Sequence, residues 1–260
     1  RRLNQVGETI SSIATPLAAY SLRSITGGDP RAVRVRRDTS GAAGDDDEQD
    51  FTVSEINSGA LLDFVGSGND GFVSKWYDQV GVNHGLQSTQ GSQPQIVESG
   101  TLRDYLIFDG TNSHFAFTSA LDFDDGSGFF VVKGTTPENQ QTLLGGYSNN
   151  NYLPVLQNGS TAAPYTSSMT VGSDFVNGVA QSWTDRDDAY DAIVTNNYVL
   201  ASFIDIDNSP SATLKDIGRG AGGTTWVWKG QMKEIVLYST NQSTNRTALE
   251  ANINSYYSIF

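Results

Sequence analysis

There is no cysteine in this 260-residue chain, and there are only two histidines, His84 and His114. The first absence excludes a disulfide framework, a thiolate metal site and cysteine-nucleophile chemistry; the second argues against a multi-histidine zinc site. No apolar stretch approaches the ~18 residues that a membrane helix needs, and no basic-then-apolar leader opens the chain, so a soluble protein with no membrane partner is expected. Charged residues are sparse, at 17%, and the balance is acidic: 16 Lys and Arg against 29 Asp and Glu give a net charge of -13. A surface of that sign repels phosphate and argues against nucleic acid as a partner. The first residue is Arg1 and not Met, as in a processed protein or an excerpt of a longer one.

What is abundant points the other way, to a loop-rich β protein. The chain holds 27 Gly and 7 Pro, with 37% hydrophobic residues. Its length suffices to bury roughly 70 to 75% of the unfolded surface. From Phe72 onward, strand-like runs recur between Gly, Asn, Asp and Pro punctuation. They are expected at 72–77, 105–108, 114–117, 129–133, 142–144, 152–156, 192–195, 199–206, 213–217, 225–228 and 232–238. Earlier, Ala32-Val33-Arg34-Val35-Arg36 alternates apolar and charged residues and reads as a half-buried strand. Pro16 introduces a short helix candidate, Leu17 to Arg23, and Leu249, Ile253, Tyr256 and Tyr257 fall at helical spacing near the C-terminus. The expected architecture is all-β, a β-sandwich with short helices near both ends, divided into a basic arm over residues 1–15 and one domain over 16–260.

The arm is the basic end of an acidic protein. Seven arginines among the first 40 residues (Arg1, Arg2, Arg23, Arg31, Arg34, Arg36 and Arg37) face only Glu8, Asp29 and Asp38. Intramolecular pairing or assembly contacts with an acidic neighbour explain that asymmetry, with Arg1 and Arg2 as the tip of an arm ordered by a partner. The run Asp45 to Glu48 reads as a solvated loop.

The remaining motifs are weaker. Gly218 to Gly223 satisfies G-x-G-x-x-G, but Thr224 to Trp228 follows as a strand, not a helix, so a hairpin loop is expected in place of a nucleotide site. The acidic fragments at 122–125, 185–188 and 205–208 lack full EF-hand spacing. They are read as solvated turns, with calcium the one cofactor left open. Trp226 and Trp228 lie two apart on one strand face, as core or as a ligand platform. A glycan site is expected at Trp183 with Asp185 and Asp187, together with the polar-aromatic loop Tyr147, Asn149 and Tyr152.

Two stretches carry a resemblance. Ala19 to Arg23, Ala32 to Arg37, Leu61 to Gly66, Gly71 to Val73 and Trp76 to Gln79 resemble the N-terminal part of the glycoside hydrolase family 54 catalytic domain. That family comprises α-L-arabinofuranosidases with a concanavalin A-like sandwich. The same block is similar to segments of tail-fibre and other virion proteins of tailed bacteriophages. Leu106 to Gly110, Phe129 to Lys133, Ile217-Gly218 and Gly230 to Tyr238 resemble laminin-G and concanavalin A-like lectin modules. These likenesses imply a concanavalin A-like jelly roll. They also imply that the hydrolase acids are missing. The family's nucleophilic Glu falls between the stretches matching Leu144 to Tyr147 and Ile217-Gly218, where this chain has no Glu; its acid/base Asp falls where this chain reads Gly220-Ala221-Gly222. The family's adjacent cysteine pair has no counterpart near Thr142 and Leu143. The function expected on this basis is a non-enzymatic, lectin-like structural protein of a phage virion (tail fibre, tail or capsid surface). It would be homo-oligomeric with other virion proteins as partners, and would have a host surface glycan as ligand. The alternatives are a cellular carbohydrate-binding module and a hydrolase whose acids have moved.

Overall fold

The structure, a computed structural model, describes residues 8–42, 45–136, 140–146, 151–208, 213–220 and 226–260. A one-turn helix α1 (Ile10–Ile13) leads into β1 (Ala18–Ser21), the pair β2 (Arg31–Asp38) and β3 (Glu48–Thr52), the helices α2 (Val53–Ser58) and α3 (Ala60–Val65), and β4 (Asp70–Trp76). Strands β5 (Gly85–Leu86), β6 (Gln95–Glu98), β7 (Thr101–Asp109), β8 (Phe115–Leu121) and β9 (Gly126–Gly134) follow. Next come β10 (Gln141–Gly145), β11 (Tyr152–Leu156), β12 (Met169–Val176) and β13 (Val179–Ala180). Helix α4 (Arg186–Ile193) precedes β14 (Val199–Asn208), β15 (Leu214–Ile217) and β16 (Lys229–Tyr238), and α5 (Arg246–Tyr257) is the last element.

The strands pair antiparallel in the order β11-β10-β15-β8-β5-β4-β6-β7-β16-β9-β14-β12-β13, with β1 added to β16 and the β2–β3 pair added to β4. This ribbon folds back at β6 into an all-β sandwich. One core joins its two halves: Trp76, Phe115, Leu144 and Ile217 from one layer pack with Leu106, Phe130, Phe203 and Met232 from the other, all essentially inaccessible to water. A second core lies outside the β16–β9–β14 layer, where Phe129, Val131, Leu200, Ile204, Val236 and Tyr238 meet Ile10 of α1 and Leu249 and Ile253 of α5. Strand β9 is therefore buried on both faces, Phe130 and Val132 inward and Phe129 and Val131 outward, which is why it reads as an unbroken apolar run. Leu249 and Ile253, one turn apart, put α5 on that outer face, each contributing roughly 1.5–3 kcal/mol by burial.

The N-terminal arginines are paired within the chain. Glu234, with no solvent exposure, receives Arg23 Nε at 2.7 Å and Nη2 at 2.8 Å, Ser21 Oγ at 2.9 Å and the Tyr257 hydroxyl at 3.0 Å. Arg31 and Arg34 meet Asp50, Arg36 meets Asp46, and Arg37 meets Asp47. The acidic run at 45–48 is thus in part the counter-charge of β2. Arg1 and Arg2 lie outside the described residues.

Two expectations change. Ala18–Ser21 is a strand and not a helix, because pairing with β16 (Ala18 opposite Leu237, Tyr20 opposite Ile235) buries all four residues; tertiary pairing overrides local propensity. Residues 192–195 are not a strand: Ala192 and Ile193 end α4, whose N-terminus Asp185 caps. Of the segment expected as an arm, the described part brings Ile10, 1% exposed, into the outer core with Leu249 and Ile253 of α5.

Candidate functional site

Strand β12 lies near one end of the ribbon, with only the two-residue β13 beyond it. Asp174 stands opposite Phe203 of β14, so its side chain shares the face of a main-core residue. Close to the sheet edge that face is only half covered, and Asp174 is half-buried. Two aromatic residues complete the setting. The Tyr165 hydroxyl, from the connection between β11 and β12, donates to Asp174 Oδ1 at 2.6 Å. Trp183 follows β13, where Gln181 N–H donates to the Asp174 carbonyl at 2.8 Å, and its ring centroid lies 6.2 Å from that of Phe203.

These surroundings act on the carboxyl in opposite directions. Burial disfavours the anion and the Tyr165 bond favours it; burial wins, and the Asp174 pKa is pushed up to about 6. The Tyr165 phenol, buried and beside a carboxylate, is pushed well above its ordinary value and stays a donor. Other described carboxyls with raised pKa have different environments. Asp216 pairs with Arg219 at 3.1 Å, Glu250 with Ser202 and Arg246, and Asp205 is raised by a hydrogen bond to Asp125 on the exposed surface. Asp174 alone among them is raised by desolvation with no cation or second acid as a cause. Two buried donors on the surrounding segments make no hydrogen bond: Trp183 Nε1, whose ring packs on Phe203, and Asn151 Nδ2. Asn151 accepts from Thr166 Oγ1 at 3.5 Å, so Tyr165 and its neighbour Thr166 link Asp174 to Asn151. A carboxyl whose pKa is pushed up to about 6, on a face shared with Phe203 and the Trp183 indole packed on it, suits a ligand rich in hydroxyl and ether oxygens. Among the described residues no group of three or more His, Asp or Glu is placed to hold a metal ion.

Of the residues expected from sequence, Trp183 belongs to this site. Asp185 caps α4, accepting the N–H groups of Asp187 and Asp188 at 3.0 Å each, and Asp187 accepts Gly159 N–H at 2.6 Å. Tyr152 is fully buried, its ring 4.2 Å from that of Trp226, whose ring also carries the Arg186 guanidinium at 5.4 Å. Trp226 has φ +71°, which breaks strand alternation, and Trp228 is core, so the two do not form a platform. Tyr147 and Asn149 lie outside the described residues. Asp174 and Tyr165 were missed, because nothing local marks them: Met169–Val176 alternates poorly, and Phe203 is far away in sequence.

No family model matches the chain, and no curated protein matches it. Solved structures do. A glutamate-to-glutamine mutant of a glycoside hydrolase family 54 α-L-arabinofuranosidase, soaked with 4-nitrophenyl α-L-arabinofuranoside, superposes with TM-score 0.56 at 14% identity. An arabinofuranosidase complexed with arabinofuranosyl-α-1,2-xylobiose gives 0.52 at 12% identity. The likeness is one of fold. Each match covers 92% of this chain and 62% of the other, so the chain spans about three-fifths of the length of these enzymes. The resemblance of the N-terminal block to this family therefore extends to the architecture. The expectation of a non-enzymatic virion protein, on a tail fibre or as a capsid decoration, is overturned by the same finding: these neighbours at probability 1.00 are enzymes that act on glycosides, not particle components.

Proposed function

We propose that the chain is a glycoside hydrolase domain acting on an uncharged, arabinofuranoside-like sugar, with Asp174 as the proton-holding carboxyl. The observation that carries this reading is the Asp174 environment: a half-buried carboxyl fixed by Tyr165, opposite the Phe203 on which Trp183 packs, with its pKa pushed up to about 6. With Tyr165 donating to Oδ1, the acid proton resides on Oδ2 and passes from there to the leaving-group oxygen as the glycosidic bond breaks. The shared fold supports the reading at the level of architecture.

A glycosidase also needs a second carboxylate, about 5–5.5 Å away for retention or 6.5–9.5 Å for inversion. Among the described residues, no second acid figures in the electrostatics of Asp174. That observation favours a second reading, a saccharide-binding module that holds a sugar at the same residues without cleaving it. Assay of 4-nitrophenyl α-L-arabinofuranoside with the wild-type chain, D174N and W183F separates the two. Turnover that D174N lowers by about 10²–10⁴ supports hydrolysis. Saccharide binding that W183F weakens, without turnover, supports the second reading. Neither turnover nor binding, or turnover indifferent to D174N, overturns the assignment of Asp174.

A further inference from the structure

A groove of about 530 Å³ opens between β2, β4, β6 and β7, where the ribbon folds from one layer to the other. It lies four strand spacings from β12, roughly 19 Å along the sheet, and shares no residue with the Asp174 site. Arg36 forms its floor. This side chain is 6% exposed and held from two sides, by Nε to Gln93 Oε1 at 2.9 Å and Nη1 to Asp46 at 2.8 Å, with Asp38 at 3.7 Å and the Phe72 ring centroid 4.9 Å from its guanidinium carbon. Gln93 is fixed in turn through Nε2 to the Gln87 carbonyl at 3.0 Å. Asp109, also in the lining, accepts the backbone N–H groups of Thr111, Asn112 and Ser113, at 2.8, 3.0 and 3.0 Å. Those bonds outweigh burial and hold its carboxyl below the ordinary range, as backbone N–H groups do for Asp45. Both are anions at any physiological pH and therefore acceptors only, which rules them out as proton donors.

The groove thus offers preorganised carboxylates, carboxamides and one guanidinium, with the apolar surface of Ile107 and Phe72 between them. Four aspartates against one arginine repel an anion. Hydroxyl groups, which donate to the carboxylates and accept from Arg36 and the Gln amides, match the lining, and the volume falls within the range of small-molecule sites. We propose that this groove binds an uncharged saccharide, as a second site independent of any role for Asp174.

The test uses a variant that the backbone tolerates. Gly91 lines the groove; a Cβ built on it meets nothing within 4 Å, and its φ lies outside the left-handed region, so G91W adds a bulky side chain to the groove lining without backbone strain. Amide shifts of the full chain are followed by NMR on titration with xylotriose, with trigalacturonate and with calcium chloride. Xylotriose is expected to move Gly91, Gln95 and Ser113 with a Kd of about 1 mM or tighter, and G91W to weaken this at least tenfold with unchanged melting temperature. The trigalacturonate series is expected to leave these amides unmoved. Shifts confined to Trp183 and Tyr165, no shift at all, equal affinity in G91W, or the same amides answering to calcium alone would overturn the proposal. An Asp174 that fails its own assay leaves this result untouched, so the two readings fail separately.

Discussion

Burying the Asp174 carboxyl costs stability once it ionises, and the cost has a definite pH signature. In the unfolded chain the carboxyl titrates near its ordinary 3.8; in the fold it titrates at about 6. Between those values the folded state binds the proton that the unfolded state has released, so stability falls as pH rises through this window. Below 3.8 both states are protonated and the group is neutral in effect; above 6 both are ionised and the full penalty applies. At about 1.36 kcal/mol per pH unit the interval corresponds to an upper bound of about 3 kcal/mol. The substitution D174N keeps an oxygen for the Tyr165 hydroxyl and removes the titration. The variant is expected to match the wild type at pH 3.5 and to exceed it by up to about 3 kcal/mol at pH 7.5, or roughly 6–12 °C in melting temperature. Urea denaturation of both proteins at half-unit pH steps measures the difference. A gap that is constant with pH, or one that closes as pH rises, would refute both the burial argument and the case for Asp174 as the acid.

Two further outcomes follow from the packing. E234Q leaves the buried Arg23 guanidinium without its anion and is expected to cost about 3–5 kcal/mol in chemical denaturation, whereas a loss below about 1 kcal/mol would mean that Arg23 finds water or another partner. I10A removes the anchor of α1 from the outer core and is expected to cost about 2 kcal/mol, at the low end of core truncations because a one-turn helix can peel away; hydrogen exchange should show the wild-type amide of Ala14, bonded to the Ile10 carbonyl, protected in the monomer and released in I10A.

Much of the architecture was legible in the sequence because strands and amphipathic helices write their burial into local periodicity. The β11 and β14 runs and the 249/253 spacing of α5 are of this kind. Some signals were present but passed over: Thr52 and Glu55 make a reciprocal capping box at the start of α2, and Asp185 caps α4. The candidate site was legible only in part. Trp183 stood out as an aromatic beside an acidic turn, but the neighbouring Asp185 and Asp187 carboxylates serve the backbone of α4 and of the β11–β12 connection.

By itself, the sequence determined the all-β class, through frequent turn residues and short apolar runs, and it ruled out disulfides, through the absence of cysteine. Only the tertiary structure decided that Ala18–Ser21 is a strand, since its four residues are buried by partners more than two hundred residues away in β16. The same holds for the chemistry. A carboxyl's proton affinity depends on what excludes water from it, and Asp174 is half-buried where Tyr165 bonds to it and β14 sets Phe203 opposite it, at the edge of the main core. The Arg36 groove exists because β2, β4, β6 and β7 meet where one layer turns into the other, a junction that no local pattern along the chain records.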